Sequence, residues 1–418
     1  MRLELVVRPV AGLAWGDATE LSDGTLAVGQ QDLTRVLLED PRVAGVELAL
    51  TRPGESCRVA PVFDVVEPRA KLGGVDFPGV LGPPRSAGQG STRVLRGAAV
   101  IVLDPAGGIG GQNAVLDLSG PAGELSRYAA THNLVIVPRL APGLDRADQL
   151  AALRRLSLRA AVHLARAVGE AGDAAAEREV YELTPVADPT LPRVAYVYQL
   201  HSQQYPTLPG EPVLYGDNVR HLLPTILHPN EIFDGAVVRN YRPFGLETYA
   251  IQNHALIAEL YRRHGTEVDF AGVVVTCAHQ TLEERERAVT MAANLVAYTL
   301  RAAGALFTKA GGGAPHVDMA QAAHRLEQLG VRTTLLAWDT ASAGSGDEGG
   351  ALFNYPDLDA IVNFGSNGFN FTLPAVERTV AGRTDLAAAL AGPLELPVLS
   401  ICGCMDQTGS GRLTAVTY

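Results

Sequence analysis

The sequence predicts an α/β protein, a mixed N-terminal α/β region followed by a C-terminal doubly wound parallel sheet. Short runs rich in β-branched residues recur between Gly, Pro and Asp, which is how buried strands read. Segments with apolar residues at helical spacing lie between several of them, and from Phe270 onward strand and helix patterns alternate regularly, the sequence form of βαβ units. A chain of 418 residues with 47% apolar and 19% charged side chains affords a core of real size and excludes a disordered, collagenous or disulfide-scaffold protein.

Taken in order, LELVVRPV (3–10), AGVELAL (44–50) and GAAVIVLD (97–104) read as strands, and a helix opens at Gln31-Asp32-Leu33 in QDLTRVLLED. Residues 146–172 form a long Ala/Leu/Arg helix with a glycine stop at Glu170–Gly172. Residues 67–93 hold many Gly and Pro without periodicity, the pattern of a long binding loop. A strand over 193–201 then runs into an irregular Pro-rich stretch, with His201, Ser202, Gln203 and Gln204 at its carboxyl end, where α/β sheets bind ligands. The regular part follows as AGVVVT, a helix from LEERER, ALFTK, the helix HVDMAQAAHRLEQLG, RTTLLAWD and DAIVNFG. We divide the chain into a mixed α/β domain (1–190), a loop-rich connection (191–265) and a Rossmann-like α/β domain (266–418).

Acidic residues outnumber basic ones by 45 to 34, for a net charge of −11 without a basic cluster, which argues against nucleic acid and anionic membranes as partners. The absence of an apolar run of membrane-spanning length and of a signal-peptide pattern, with only four cysteines, predicts a cytoplasmic protein. Lysine occurs only at Lys71 and Lys309, which argues against most lysine-based mechanisms.

Cys402-Gly403-Cys404 is the single close thiol pair, open to a redox or metal role or to packing of two small apolar residues at a strand end. His201 with Gln203 stands where an imidazole can orient a substrate or move a proton, against a structural reading of the same residues. Asn363–Gly368, with Asn367, forms a Gly/Asn-rich turn whose backbone N–H groups could meet a ligand or merely serve a tight turn. Metal-ligand spacing is lacking around His132, His221 and His228, so no metal is expected.

Nine segments together carry a resemblance that runs nearly end to end. They are LTRPGESCRVAP (50–61), FDVVEPRAKLGG (63–74), LDLSGP (116–121), THNLVIVP (131–138), VAYVYQLHSQ (194–203), LYGDNVRHLLPTILHPNEIFDGAVV (214–238), LIAELYRRHG (256–265), FAGVVVT (270–276) and GRLTAVTY (411–418). In this order they resemble the component B precursor of the glycine/sarcosine/betaine reductases. The resemblance implies a chain that cleaves itself at an Asn–Cys bond into α and β subunits, the cysteine becoming a pyruvoyl group. It also implies a partner subunit whose cysteine or selenocysteine attacks the substrate α-carbon and releases the amine.

The equivalent stretch here is GAVVRNYRPFGLETYAIQNHAL, in which Asn240 is followed by Tyr241. Pyruvoyl formation needs a nucleophile on Cβ that attacks the preceding carbonyl through a five-membered ring and then leaves by β-elimination. A phenol oxygen is too far from its own backbone for that ring. The expectation is therefore one uncleaved chain without a pyruvoyl cofactor. Arg239 and Arg242 beside Asn240 and Tyr241 offer two guanidinium groups for a carboxylate or phosphate, or else a solvated loop. The expected function is that of a substrate-binding subunit in a hetero-oligomeric reductase complex, working with a thiol- or selenol-bearing partner on a small amine or amino-acid derivative. Two alternatives are a non-catalytic scaffold of that complex and a redox or metal enzyme dependent on Cys402 and Cys404.

Overall fold

In a computed structural model the protein is described over residues 1–418, apart from 110–113, 202–207, 209, 217, 240–245, 280, 310–312, 340–354, 356, 367–369, 406–415 and 418. The fold is α/β, built on several mixed sheets and one parallel-rich sheet. The first half holds two four-stranded sheets. In one, Arg2–Pro9 lies between Glu177–Glu182 and Gly90–Arg96, with Arg69–Lys71 at the edge. In the other, His132–Leu140 and Ala98–Leu103 run parallel between the antiparallel strands Val43–Thr51 and Val62–Val66.

The helix Arg146–Ala167 shares one apolar core with these sheets and with the helix Gln30–Leu37. Asp145 caps its start by accepting from the Asp148 N–H at 2.9 Å. Its stop comes earlier than the glycine expected at 170–172: Gly169, at φ +65°, turns the chain after Val168, because the first glycine to reach the left-handed region ends the helix. Within 67–93, residues Arg69–Lys71 and Gly90–Arg96 are strands, so the loop is shorter than its composition suggests.

The second half is built on a seven-stranded sheet. Its five parallel strands, in chain order Arg193–His201, Asp269–Ala278, Gly304–Lys309, Arg332–Asp339 and Ala360–Ser366, lie in spatial order 2-1-3-4-5, with short antiparallel strands at both edges. Tyr196, Tyr198 and Leu200 face a core that includes Ile257 and Leu260 of the helix Ala255–Arg263. Ala195 and Val197 face the helices Leu282–Asn294 and Ala314–Gln328 on the other side. Burial on both faces is why these strands read as unbroken apolar runs. The helix that starts at Leu282 passes into a π-turn over Leu295–Thr299, and Arg301 at φ +51° follows it.

The chain then returns to the first half. Arg378–Ala381 pairs in parallel with Cys57–Ala60, which pairs with Leu116–Asp117. Ile401 bridges Val115. Arg58 locks this seam: fully buried, it donates to both carboxylate oxygens of Asp117 and to the carbonyls of Pro374, Leu390 and Gly392. No helix among the described residues is long and apolar enough to cross a membrane.

Candidate functional site

The strand order places a switch point between Arg193–His201 and Gly304–Lys309. The first strand leads to its neighbour Asp269–Ala278 on one side, and the second leads to Arg332–Asp339 on the other. Connections that depart in opposite directions leave a crevice at the carboxyl ends of such strands, the place where open α/β sheets bind ligands. His201, half-buried, ends the first strand, and Lys309, 4% exposed, ends the second.

Gln199 is paired with Lys309 in the register, as Val197 is with Phe307, so strand alternation puts Lys309 on the face of Gln199 and Phe307. Gln199 is also 4% exposed, and its amide oxygen makes no hydrogen bond among the described residues. It lines a cavity of about 10 Å³ together with Thr276, Arg285, Phe307, Asp318 and Met319. Arg285 Nε donates to Asp318 Oδ1 at 2.7 Å, and burial raises the Asp318 carboxyl above its ordinary range. Burial also pushes the Lys309 ammonium down to about 7, because taking a charge out of water favours the neutral amine. On the opposite face the Tyr196 hydroxyl bonds the Thr308 hydroxyl and lies 3.1 Å from His254 Nε2, beneath a stack of Tyr196 on Tyr198. This network fixes the two strand ends against each other.

A second buried polar cluster surrounds Glu247. Tyr128 donates its hydroxyl to Glu247 Oε2 at 2.8 Å, and the Cys402 thiol donates to Oε1 at 3.7 Å. The next residue, Thr248, donates its N–H and hydroxyl to the two oxygens of Asp64 and accepts the Arg239 N–H at 3.1 Å. The Arg239 guanidinium lies 4.1 Å over the Phe63 ring, a cation–π contact. Burial, then the nearby Glu247 charge, drives the Cys402 thiol well above its ordinary value, and the same two causes hold Cys404 at about 12. Cys404 donates to the Ala122 carbonyl at 3.6 Å. Here both sulfurs are protonated hydrogen-bond donors, and no group of three or more His, Cys, Asp or Glu suited to a metal occurs among the described residues.

Of the residues singled out in the sequence, Cys402 bonds Glu247, Arg239 bonds the adjacent Thr248 and Cys404 bonds Ala122, whereas His201 stands at the sheet edge. Gln203, Asn240, Tyr241, Arg242 and Asn367 lie outside the described residues. His228 accepts the Asn230 N–H at 3.2 Å and caps the helix Pro229–Phe233, a structural use. Lys309, Gln199, Glu247 and Asp64 were not among the sequence candidates. The scarcity of lysine, read as an argument against lysine chemistry, pointed away from Lys309. Its signal was its place as the last residue of ALFTK, at a strand's carboxyl end.

Comparison with known proteins places this architecture. The family described as glycine/sarcosine/betaine reductase component B subunits matches residues 1–410. The chain is 32% identical over 447 residues to the glycine reductase complex component B subunits alpha and beta of Acetoanaerobium sticklandii, covering 100% of both chains. It is 31% identical over 444 residues to the protein of the same name from Peptoclostridium acidaminophilum, again covering 100% of both. The sarcosine reductase complex component B subunit alpha of that organism is 32% identical over 422 residues, with 98% of this chain and 94% of the relative covered. No solved structure matches the chain. The relatives are subunits of oxidoreductase complexes, and end-to-end similarity at this level establishes that the chain belongs to the glycine/sarcosine/betaine reductase component B subunits.

Proposed function

We propose that this chain is an uncleaved, pyruvoyl-free substrate-binding subunit of a glycine/sarcosine/betaine reductase-like complex. It works with a thiol- or selenol-bearing partner subunit on a small amine or amino-acid derivative. The observation that carries this reading is Tyr241 after Asn240. A tyrosine oxygen sits across an aromatic ring from Cβ, so it closes no five-membered ring on the preceding carbonyl and supplies no β-leaving group. The residues at this position do not fit a pyruvoyl group, and no step is assigned to one.

Reductive C–N cleavage remains chemically accessible without that carbonyl. A thiolate that attacks the α-carbon displaces nitrogen best when the nitrogen is cationic and held in line, and a quaternary or protonated amine already meets the first condition. The subunit's part is then to hold the substrate in that orientation. We assign that role to the carboxyl ends of the strands that finish at His201 and Lys309, since open α/β sheets bind ligands at such a switch point.

Intact mass spectrometry of the purified chain in reducing buffer tests the reading. A single species at the full-length mass is the expected result. Two fragments, the downstream one beginning with a carbonyl group, would overturn it and restore the pyruvoyl mechanism.

A further inference from the structure

We propose that this chain pairs with a second copy of itself through the free side of the strand Val43–Thr51, two four-stranded sheets joining into one across a twofold axis at Val46.

The strand is open by construction. Val43–Thr51 is the outermost strand of its sheet and pairs on one side only, with His132–Leu140. Val46 stands opposite Pro138, which has no N–H to give, so theirs is a pair without hydrogen bonds. The even-numbered residues therefore turn their backbone groups outward and the odd-numbered ones turn theirs toward the neighbour. Two arginines agree with this parity: Arg139 donates to the Ala44 carbonyl at 3.4 Å and Arg378 to the Leu50 carbonyl at 2.9 Å. Between these two ends Val46 and Leu48 keep outward N–H and carbonyl groups that no described residue bonds. An unpaired row of this kind is a template for another strand. A groove of about 690 Å³, lined by Leu38, Val46, Val137 and Leu140 among others, lies beside it and leaves room for one.

Charge selects the occupant and the register. Glu47 and Arg139 are both exposed, and neither forms an ion pair among the described residues. The Arg139 guanidinium lies over Gly45, where an added Cβ would stand 2.7 Å from its Nη2. Antiparallel pairing that sets Val46 against Val46 of the second copy brings Glu47 opposite Gly45 of that copy, next to its Arg139. The twofold axis makes the same contact again in the other direction. Sliding one strand by two residues would instead set Glu47 against Glu47, and like charges directly opposite are destabilising. An unrelated strand would have to bring an acid and a base at matching places, whereas a second copy carries both.

The test is the mass of the full chain in solution, measured by light scattering on a size-exclusion column over a range of concentrations. A species of twice the chain mass is the expected result. Glu47→Arg sets like charge against Arg139, and Arg139→Glu sets like charge against Glu47, so each variant alone should dimerise roughly ten- to a hundredfold more weakly. An equimolar mixture of the two variants should recover the dimer, because each chain then supplies the charge that the other lacks. Val46→Pro removes an N–H that bonds nothing within the chain and should also weaken the dimer. Both charged side chains are exposed, so unchanged thermal midpoints show that the variants still fold. A monomer at every concentration would overturn the inference and leave the strand to a segment of another protein. A dimer that these variants leave intact, or one that the mixture fails to restore, would overturn it as well, since the contact would then lie elsewhere.

Discussion

Arg58 and Lys309 are both buried basic side chains, 0% and 4% exposed, in two regions that treat charge in opposite ways. At the seam between the returning C-terminal segment and the first half, Arg58 donates to Asp117 at 2.6 and 2.9 Å and to three carbonyls at 2.6–2.8 Å. The charge is kept and ringed with acceptors from residues 117, 374, 390 and 392, and it ties distant parts of the chain together. At the sheet edge, burial pushes Lys309 down to about 7 and so favours the neutral amine over the ammonium. The seam uses a buried cation for cohesion, whereas the sheet edge carries a lysine whose burial disfavours its charge at a cost in stability.

Removing the two cations should therefore change stability in opposite directions. The larger effect is expected at Lys309. Its folded pKa of about 7 lies below the ordinary 10.5, so between these values the unfolded chain binds more protons and stability rises with pH. Above about 10.5 the burial of a neutral amine costs little; as pH falls through 7 the full penalty, ~5 kcal/mol, is present. Lys309→Met should remove most of that pH dependence and raise the urea midpoint most at or below neutral pH. Equal pH slopes for the two proteins in urea titrations from neutral to alkaline pH would show that Lys309 is not held neutral.

Arg58→Ala should act the other way, with a loss of about 3–5 kcal/mol, since it leaves the Asp117 carboxylate buried without its partner. The readout is the denaturation midpoint. Replacing both partners by apolar residues, Arg58→Met with Asp117→Leu, should recover part of the loss. A change below about 1 kcal/mol in the single variant would erase the contrast, because Arg58 would then be an ordinary surface-like arginine.

Much of the fold was legible because buried parallel strands announce themselves by composition. The runs at 193–201, 270–276 and 305–309 are apolar on both faces, and the strands found there follow. The seam was not legible. Arg58, in RPGESCRVAP, reads as a loop or edge arginine until the chain more than 300 residues later brings Pro374, Leu390 and Gly392 around it. The site was half legible for the same reason. His201 could be placed at a strand end from its own flanks, but the burial of Lys309 is a property of the assembled sheet. The rarity of lysine in the chain was evidence about composition and carried no information on the lysine that folding would bury at the end of a central strand.

The thiols sharpen the comparison with the smallest expected effect. The sequence left Cys402 and Cys404 open to redox or metal chemistry or to packing, and their environment belongs with the seam: buried, with thiols donating to Glu247 and to the Ala122 carbonyl. Burial and nearby negative charge hold Cys57 and Cys404 at about 12 and Cys402 well above its ordinary value. At mildly alkaline pH the thiolate fraction of a group at 12 is then on the order of one in ten thousand. Native protein should therefore react negligibly with a thiol reagent over minutes, and all four cysteines should react in denaturant. Cys402→Ala with Cys404→Ala should cost about 1 kcal/mol for each. Rapid native labelling of either cysteine would show that the seam does not hold its thiols protonated, because a sulfur nucleophile needs its thiolate present before the reagent arrives.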